Sequence, residues 1–123
     1  MHFLFQIIRK GVDVPFPVLI SGSSAASMNG VYKLTREICD GKVVYEKDGG
    51  GMWIEYNQHY KKWLVRPTAD RNSNKSDARS AVTDEEILSS KVTGWTEEKN
   101  GKSALSSMVY DNCIGNHILI YFK

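Results

Sequence analysis

Cysteine is scarce: Cys39 and Cys113 are the only two in 123 residues, and they do not form a Cys-x-x-Cys pair. A structural zinc site draws on paired ligands a few residues apart, and a small secreted scaffold draws on several disulfides, so the sequence points to neither. Reduced, partly buried thiols are expected, with no metal and no other cofactor. Long apolar runs are missing as well. The stretch from Phe3 to Ile8 is short and is followed, not preceded, by Arg9 and Lys10, while Val14 to Ile20 is broken by Pro15 and Pro17. Nothing approaches the roughly 18 apolar residues of a membrane-spanning helix or the layout of a secretory signal, so no membrane contact and a cytoplasmic location are expected. Charge of one sign is lacking too. Sixteen Lys and Arg stand against fourteen Asp and Glu, a net charge of +2, which does not supply the concentrated positive field of a nucleic-acid binder.

Helical periodicity is confined to one place. Thr83-Asp84-Glu85-Glu86 before Ile87 and Leu88 satisfies the capping-box pattern and predicts a single helical turn. The remainder reads as short β-prone segments separated by turn signals. Asn29-Gly30, Asp40-Gly41 and Asn100-Gly101 are the dipeptides that most readily adopt φ > 0 in a tight hairpin. Around Asp40-Gly41 the pairing predicts Cys39 opposite Lys42, Ile38 opposite Val43 and Arg36 opposite Tyr45, with Tyr32, Leu34, Ile38, Val43 and Tyr45 on one inner wall. Around Asn100-Gly101 it sets Glu98 near Ser103 and Thr96 near Leu105. Asp48 to Gly51 carries three glycines and reads as a flexible connection.

Most of the core-forming material lies between Lys42 and Pro67, which holds Tyr45, Trp53, Tyr56, Tyr60 and Trp63. Taking Asn57 to Tyr60 as a four-residue turn places Ile54 against Trp63 and Glu55 against Lys62, two pairings that each stabilise a sheet by about 0.2 to 1 kcal/mol. The chain therefore reads as all-β: a small antiparallel sandwich or partly open barrel of about seven to nine short strands, with at most one short helix. Residues 1–15 read as an N-terminal arm or edge strand, and residues 16–123 as one β-rich domain.

The order of these signals resembles a small β-rich module, spelled NG-x-Y, NG-x-x-x-Y, W-I-E-Y, W-x-V, that recurs in proteins of unicellular eukaryotes. Asn29-Gly30 before Tyr32, Asp40-Gly41 before Tyr45, Trp53-Ile54-Glu55-Tyr56 and Trp63-Leu64-Val65 carry the likeness. It runs from about Leu19 to Val82 and thins after Ser103, and it implies no activity and no catalytic residues.

Chemistry in the sequence is sparse. Gly22-Ser23-Ser24-Ala25-Ala26 is a distorted G-x-S-x-A nucleophile elbow, but the parallel sheet, the following helix and the ordered acid and histidine that such an elbow uses are not signalled. A small hydrolase acting through Ser24 is the remotest of three readings. Gly49-Gly50-Gly51 lacks the Lys-Ser/Thr of a phosphate loop. What is left is aromatic: Trp53 and Tyr60 beside Glu55 and Lys62 form the kind of surface that binds proteins or sugars when it is exposed. The expected function is a non-catalytic binding module for a protein partner or an adjacent domain, with Trp53, Glu55, Tyr60 and Lys62 as its face. A carbohydrate-binding domain that stacks sugars on the same aromatics is the alternative, and full burial of Trp53 would remove this site from both readings.

Overall fold

A computed structural model describes residues 16–71, 73, 75–80 and 94–123. Nine strands form one closed barrel, in which each strand pairs with its neighbour in sequence: β1 (Val18–Ser21), β2 (Gly30–Cys39), β3 (Lys42–Lys47), β4 (Met52–Asn57), β5 (Lys62–Pro67), β6 (Ala78–Arg79), β7 (Trp95–Glu97), β8 (Ser103–Asp111) and β9 (Gly115–Phe122). All pairings are antiparallel except the one that closes the ring, where β1 runs parallel to β9 with Leu19 beside Leu119. The fold is thus all-β, and of the two expected architectures the barrel forms, fully closed. Closure removes the unpaired sheet edges that would otherwise template aggregation. Two 3-10 turns, Ala26–Met28 and Thr68–Asp70, are the only helical elements among the described residues. The expected arm at residues 1–15 and the helical turn at Thr83 lie outside the described residues.

Alternation builds the interior. Val18 and Ile20, Tyr32, Val43 and Tyr45, Met52, Ile54 and Tyr56, Trp63 and Val65, Trp95, and Ile118, Ile120 and Phe122 all pack into one core. The hairpin of β4 and β5 is correct in its faces and shifted in its register. Ile54 pairs with Val65, Tyr56 with Trp63 and Asn57 with Lys62, so the turn is Gln58 to Lys61 and not Asn57 to Tyr60. The Asn57 side-chain oxygen accepts the Tyr60 amide at 2.9 Å, and Lys61 takes φ 55°, which closes the turn. The shift gains an edge-to-face contact between Tyr56 and Trp63, with ring centroids 5.6 Å apart, where the expected register set Tyr56 against Lys61.

Further expectations are corrected. Cys39 does face Lys42 and Ile38 faces Val43, but Tyr45 pairs with Leu34 and not with Arg36, because β2 bulges between Leu34 and Ile38. The Thr35 hydroxyl donates to the Val44 carbonyl and accepts the Glu37 amide within that bulge, and Ile38 emerges exposed, off the inner wall. In the hairpin of β7 and β8, Trp95 faces Ala104 and Thr96 faces Ser103, again two residues from the expected register. Gly49, Gly50 and Gly51 form a tight turn in which all three take positive φ and Gly50 donates to the Lys47 carbonyl, so the glycines serve conformation and not flexibility. Asn29-Gly30 does not close a two-residue turn. Asn29 braces the β1–β2 connection by accepting from the Ser23 amide and donating to the Ser23 carbonyl.

The outer face of β3, β4 and β5 is also covered. Val44, Trp53, Glu55, Leu64 and Arg66 are buried there. The chain beyond β5 folds back over this face: Arg66 donates to the Ser73 carbonyl at 2.6 Å, and the Arg71 guanidinium lies 4.2 Å from the centre of the Trp53 ring.

Candidate ligand cleft

The aromatic face read from the sequence does not exist as one open surface. Trp53 is 6% exposed and Glu55 1%. Glu55 sits opposite Leu64, and its carboxylate binds the Arg66 guanidinium at 2.5 Å, not Lys62. Removing either member of such a buried pair leaves an unmatched charge and costs about 3 to 5 kcal/mol, so this pair belongs to the structure of the wall. Tyr60 and Lys62 are half-buried near the hairpin tip, where Tyr60 lies beside His59 and under the Arg79 guanidinium, 5.1 Å from its ring centre. Neither cysteine forms a disulfide. Cys113 is exposed, against the expectation of burial, and Cys39 is half-buried with its thiol pushed up to about 11 by burial and by the Glu55 carboxylate.

One end of the barrel carries a cluster of polar side chains. Glu97 follows Trp95 on the inner face of β7, so alternation turns a carboxylate inward at the rim. The β1–β2 connection folds over that rim and inserts Met28 into the core, where the Tyr32 hydroxyl donates to the Met28 carbonyl at 2.6 Å. Ser24 meets Glu97 with two donors: its amide reaches Oε1 at 3.1 Å and its hydroxyl reaches Oε2 at 2.8 Å. Asn100 donates in turn to the Ser24 hydroxyl at 2.6 Å, and the Lys102 ammonium reaches the Gly22 carbonyl at 2.7 Å. Burial pushes the Glu97 pKa up, but hydrogen bonds from the Ser23 and Ser24 side chains and the Ser24 amide, with the charge of Lys102, outweigh it and hold the carboxyl below its ordinary value.

Between this brace and the segment before β6 opens a cleft of about 500 Å³, lined by Ser24, Ala25, Met28, Ser76, Asp77 and the turn from Glu97 to Asn100. Glu98 is ion-paired with Arg79. Asp77 is held by its backbone, which donates to the Val65 carbonyl at 2.7 Å and accepts from the Glu98 amide at 2.8 Å. Its half-buried carboxylate has no hydrogen-bond or ion-pair partner among the described residues, and burial together with the nearby Asp70 raises its pKa. Among the described residues no three His, Cys, Asp or Glu side chains converge as metal ligands. A second depression, about 410 Å³, lies over β7, β8 and β9 and is lined by Trp95, Leu105 and Tyr121 among others.

Ser24, weighed in the sequence as a nucleophile, contacts Glu97 and Asn100, and no histidine contacts it among the described residues. Asp77 and Asn100 were missed because nothing in a polar loop distinguishes a side chain that faces a cleft from one that faces solvent. No protein-family model, no curated protein and no solved structure matches the chain. The class rests on fold and site alone: a closed nine-stranded β-barrel with a polar cleft at one rim.

Proposed function

We propose that this chain is a non-catalytic binding module that takes a segment of a protein partner into the rim cleft. The observation that carries the reading is the cleft itself: a concavity large enough for a side chain, with an apolar floor at Ala25 and a polar wall at Ser76, Asp77 and Asn100. The absence of catalysis is argued from Ser24. Its hydroxyl gives its hydrogen bond to a carboxylate whose pKa is lowered, and such a group is a weak base near neutral pH, far from the poised base that serine activation needs. The burial of Trp53 removes the aromatic face from the protein-partner and carbohydrate readings alike, and the rim cleft that replaces it is lined by no aromatic side chain on which a sugar could stack, which favours the protein partner.

Arrays of immobilised peptides and of glycans, probed with the wild-type chain, with Ser76→Trp and with Ser107→Trp, test this. Ser76→Trp plugs the cleft, whereas Ser107 is exposed on β8. Wild type and Ser107→Trp should bind a shared subset of peptides that Ser76→Trp loses. Binding to glycans in place of peptides, binding unaffected by the plug, or no binding by wild type would contradict the proposal.

A further inference from the structure

Three carboxylates line the rim cleft, and their charges are not equally compensated. Glu97 accepts two hydrogen bonds from Ser24 and lies near Lys102. Glu98 is paired with Arg79. Asp77 alone has no partner among the described residues, yet it is half-buried and shares its surroundings with Asp70. Lys99 also lines the cleft but forms no ion pair with Asp77. The cleft thus holds one half-buried negative charge left without a counter-ion among the described residues, an arrangement that a charged ligand relieves.

The other walls narrow the class of that ligand. Ala25 provides an apolar surface in the same cleft as the carboxylate, and the Ser76 hydroxyl and the Asn100 side-chain oxygen, which already accept from Arg79 at 3.3 Å and from the Lys102 amide at 3.2 Å, each keep a second lone pair for an N–H group. A long methylene stem ending in a positive head matches all three features at once, the stem along the floor and the head at the carboxylate. Resting on the reading of this cleft as the ligand site, we infer that it receives a lysine or arginine side chain presented by the partner protein, with Asp77 as the anchoring anion. Lys99 is then a resident competitor, whose flexible ammonium can sweep toward the same carboxylate.

Saturation-transfer difference spectra with three probes test the inference: N-acetyl-lysine N-methylamide, N-acetyl-arginine N-methylamide and the uncharged N-acetyl-norleucine N-methylamide. The two cations should bind wild type, and the norleucine probe about tenfold or more weakly, the scale of one lost charge-assisted contact. Asp77→Asn should weaken the cations by a similar factor while leaving the norleucine probe unchanged. Lys99→Ser should bind the cations at least as tightly as wild type. The Asp77 side chain makes no bond among the described residues, so Asp77→Asn should keep its thermal midpoint and serve as a folded variant. Equal binding of all three probes, indifference to Asp77→Asn, displacement of the lysine probe by calcium at constant ionic strength, or no binding of any probe would overturn the inference. The two proposals separate cleanly: array binding lost in Ser76→Trp but kept in Asp77→Asn removes the cation and leaves the cleft, whereas array binding kept in both removes both.

Discussion

Glu97 and Glu55 show how the same side chain is put to different uses by its surroundings. Glu55 lies on the outside of β4, is covered by the chain that follows β5, and is neutralised by Arg66. Glu97 lies inside the rim and is held by neutral donors that prefer it ionised. Because its folded pKa lies below the unfolded value, Glu97 contributes stability that is fully present above about pH 4.5 and is lost as pH falls through the folded pKa. The urea midpoint of wild type should therefore decline as pH falls below about 4.5, and Glu97→Gln should flatten that part of the profile while lowering the midpoint at neutral pH. A profile unchanged by Glu97→Gln would contradict the brace. At this scale the sequence was partly legible. The alternation around Trp53 and Glu55 placed both on the outer face correctly. The cover over them was not legible, since it depends on where Arg71 and Ser73 fold back over the sheet, and a polar loop carries no local signal of where it lies.

At the scale of elements, the inward faces of β4 and β5 followed from the period-two pattern, and the Asp40-Gly41 turn fixed its own register. The two hairpins that were misread are each displaced by two residues, the displacement to which alternation is blind because it keeps every side chain on its face. Contacts decide between such registers, as Tyr56 against Trp63 does for β4 and β5. The β1–β2 connection depends on a contact of the same kind. Gly22 takes φ +77°, and a Cβ there would lie 2.2 Å from the Phe122 carbonyl oxygen. Gly22→Ala should therefore cost about 2 to 4 kcal/mol, combining left-handed strain with overpacking. Gly49→Ala, where φ is +90° and nothing lies within 4 Å, should cost only the strain, about 1 to 2 kcal/mol. Chemical denaturation of the two variants side by side measures the difference, and equal losses would show that the approach of Gly22 to β9 is not made.

For the whole molecule, the decisive event is the parallel pairing of β1 with β9, extended by the Ile118 amide on the Pro17 carbonyl at 2.9 Å. An antiparallel, turn-linked pattern announces neighbours in sequence and says nothing about how the first strand meets the last, so closure was out of reach of a local reading. Yet closure is what builds the cleft. It brings the β1–β2 connection over β7 and sets Ser24 on Glu97, 73 positions apart in the chain. The cleft draws on residues 24–28, 76–77 and 97–100, three polar segments that share no motif.

The most direct measurement is the map of backbone amide shifts when the isotopically labelled protein is titrated with its strongest array-selected peptide. The account predicts shifts concentrated at Ser24 to Met28, Ser76 and Asp77, and Glu97 to Asn100. Shifts centred instead on the hairpin tip around Tyr60, or on Leu105 and Tyr121, would place the binding surface elsewhere and contradict it.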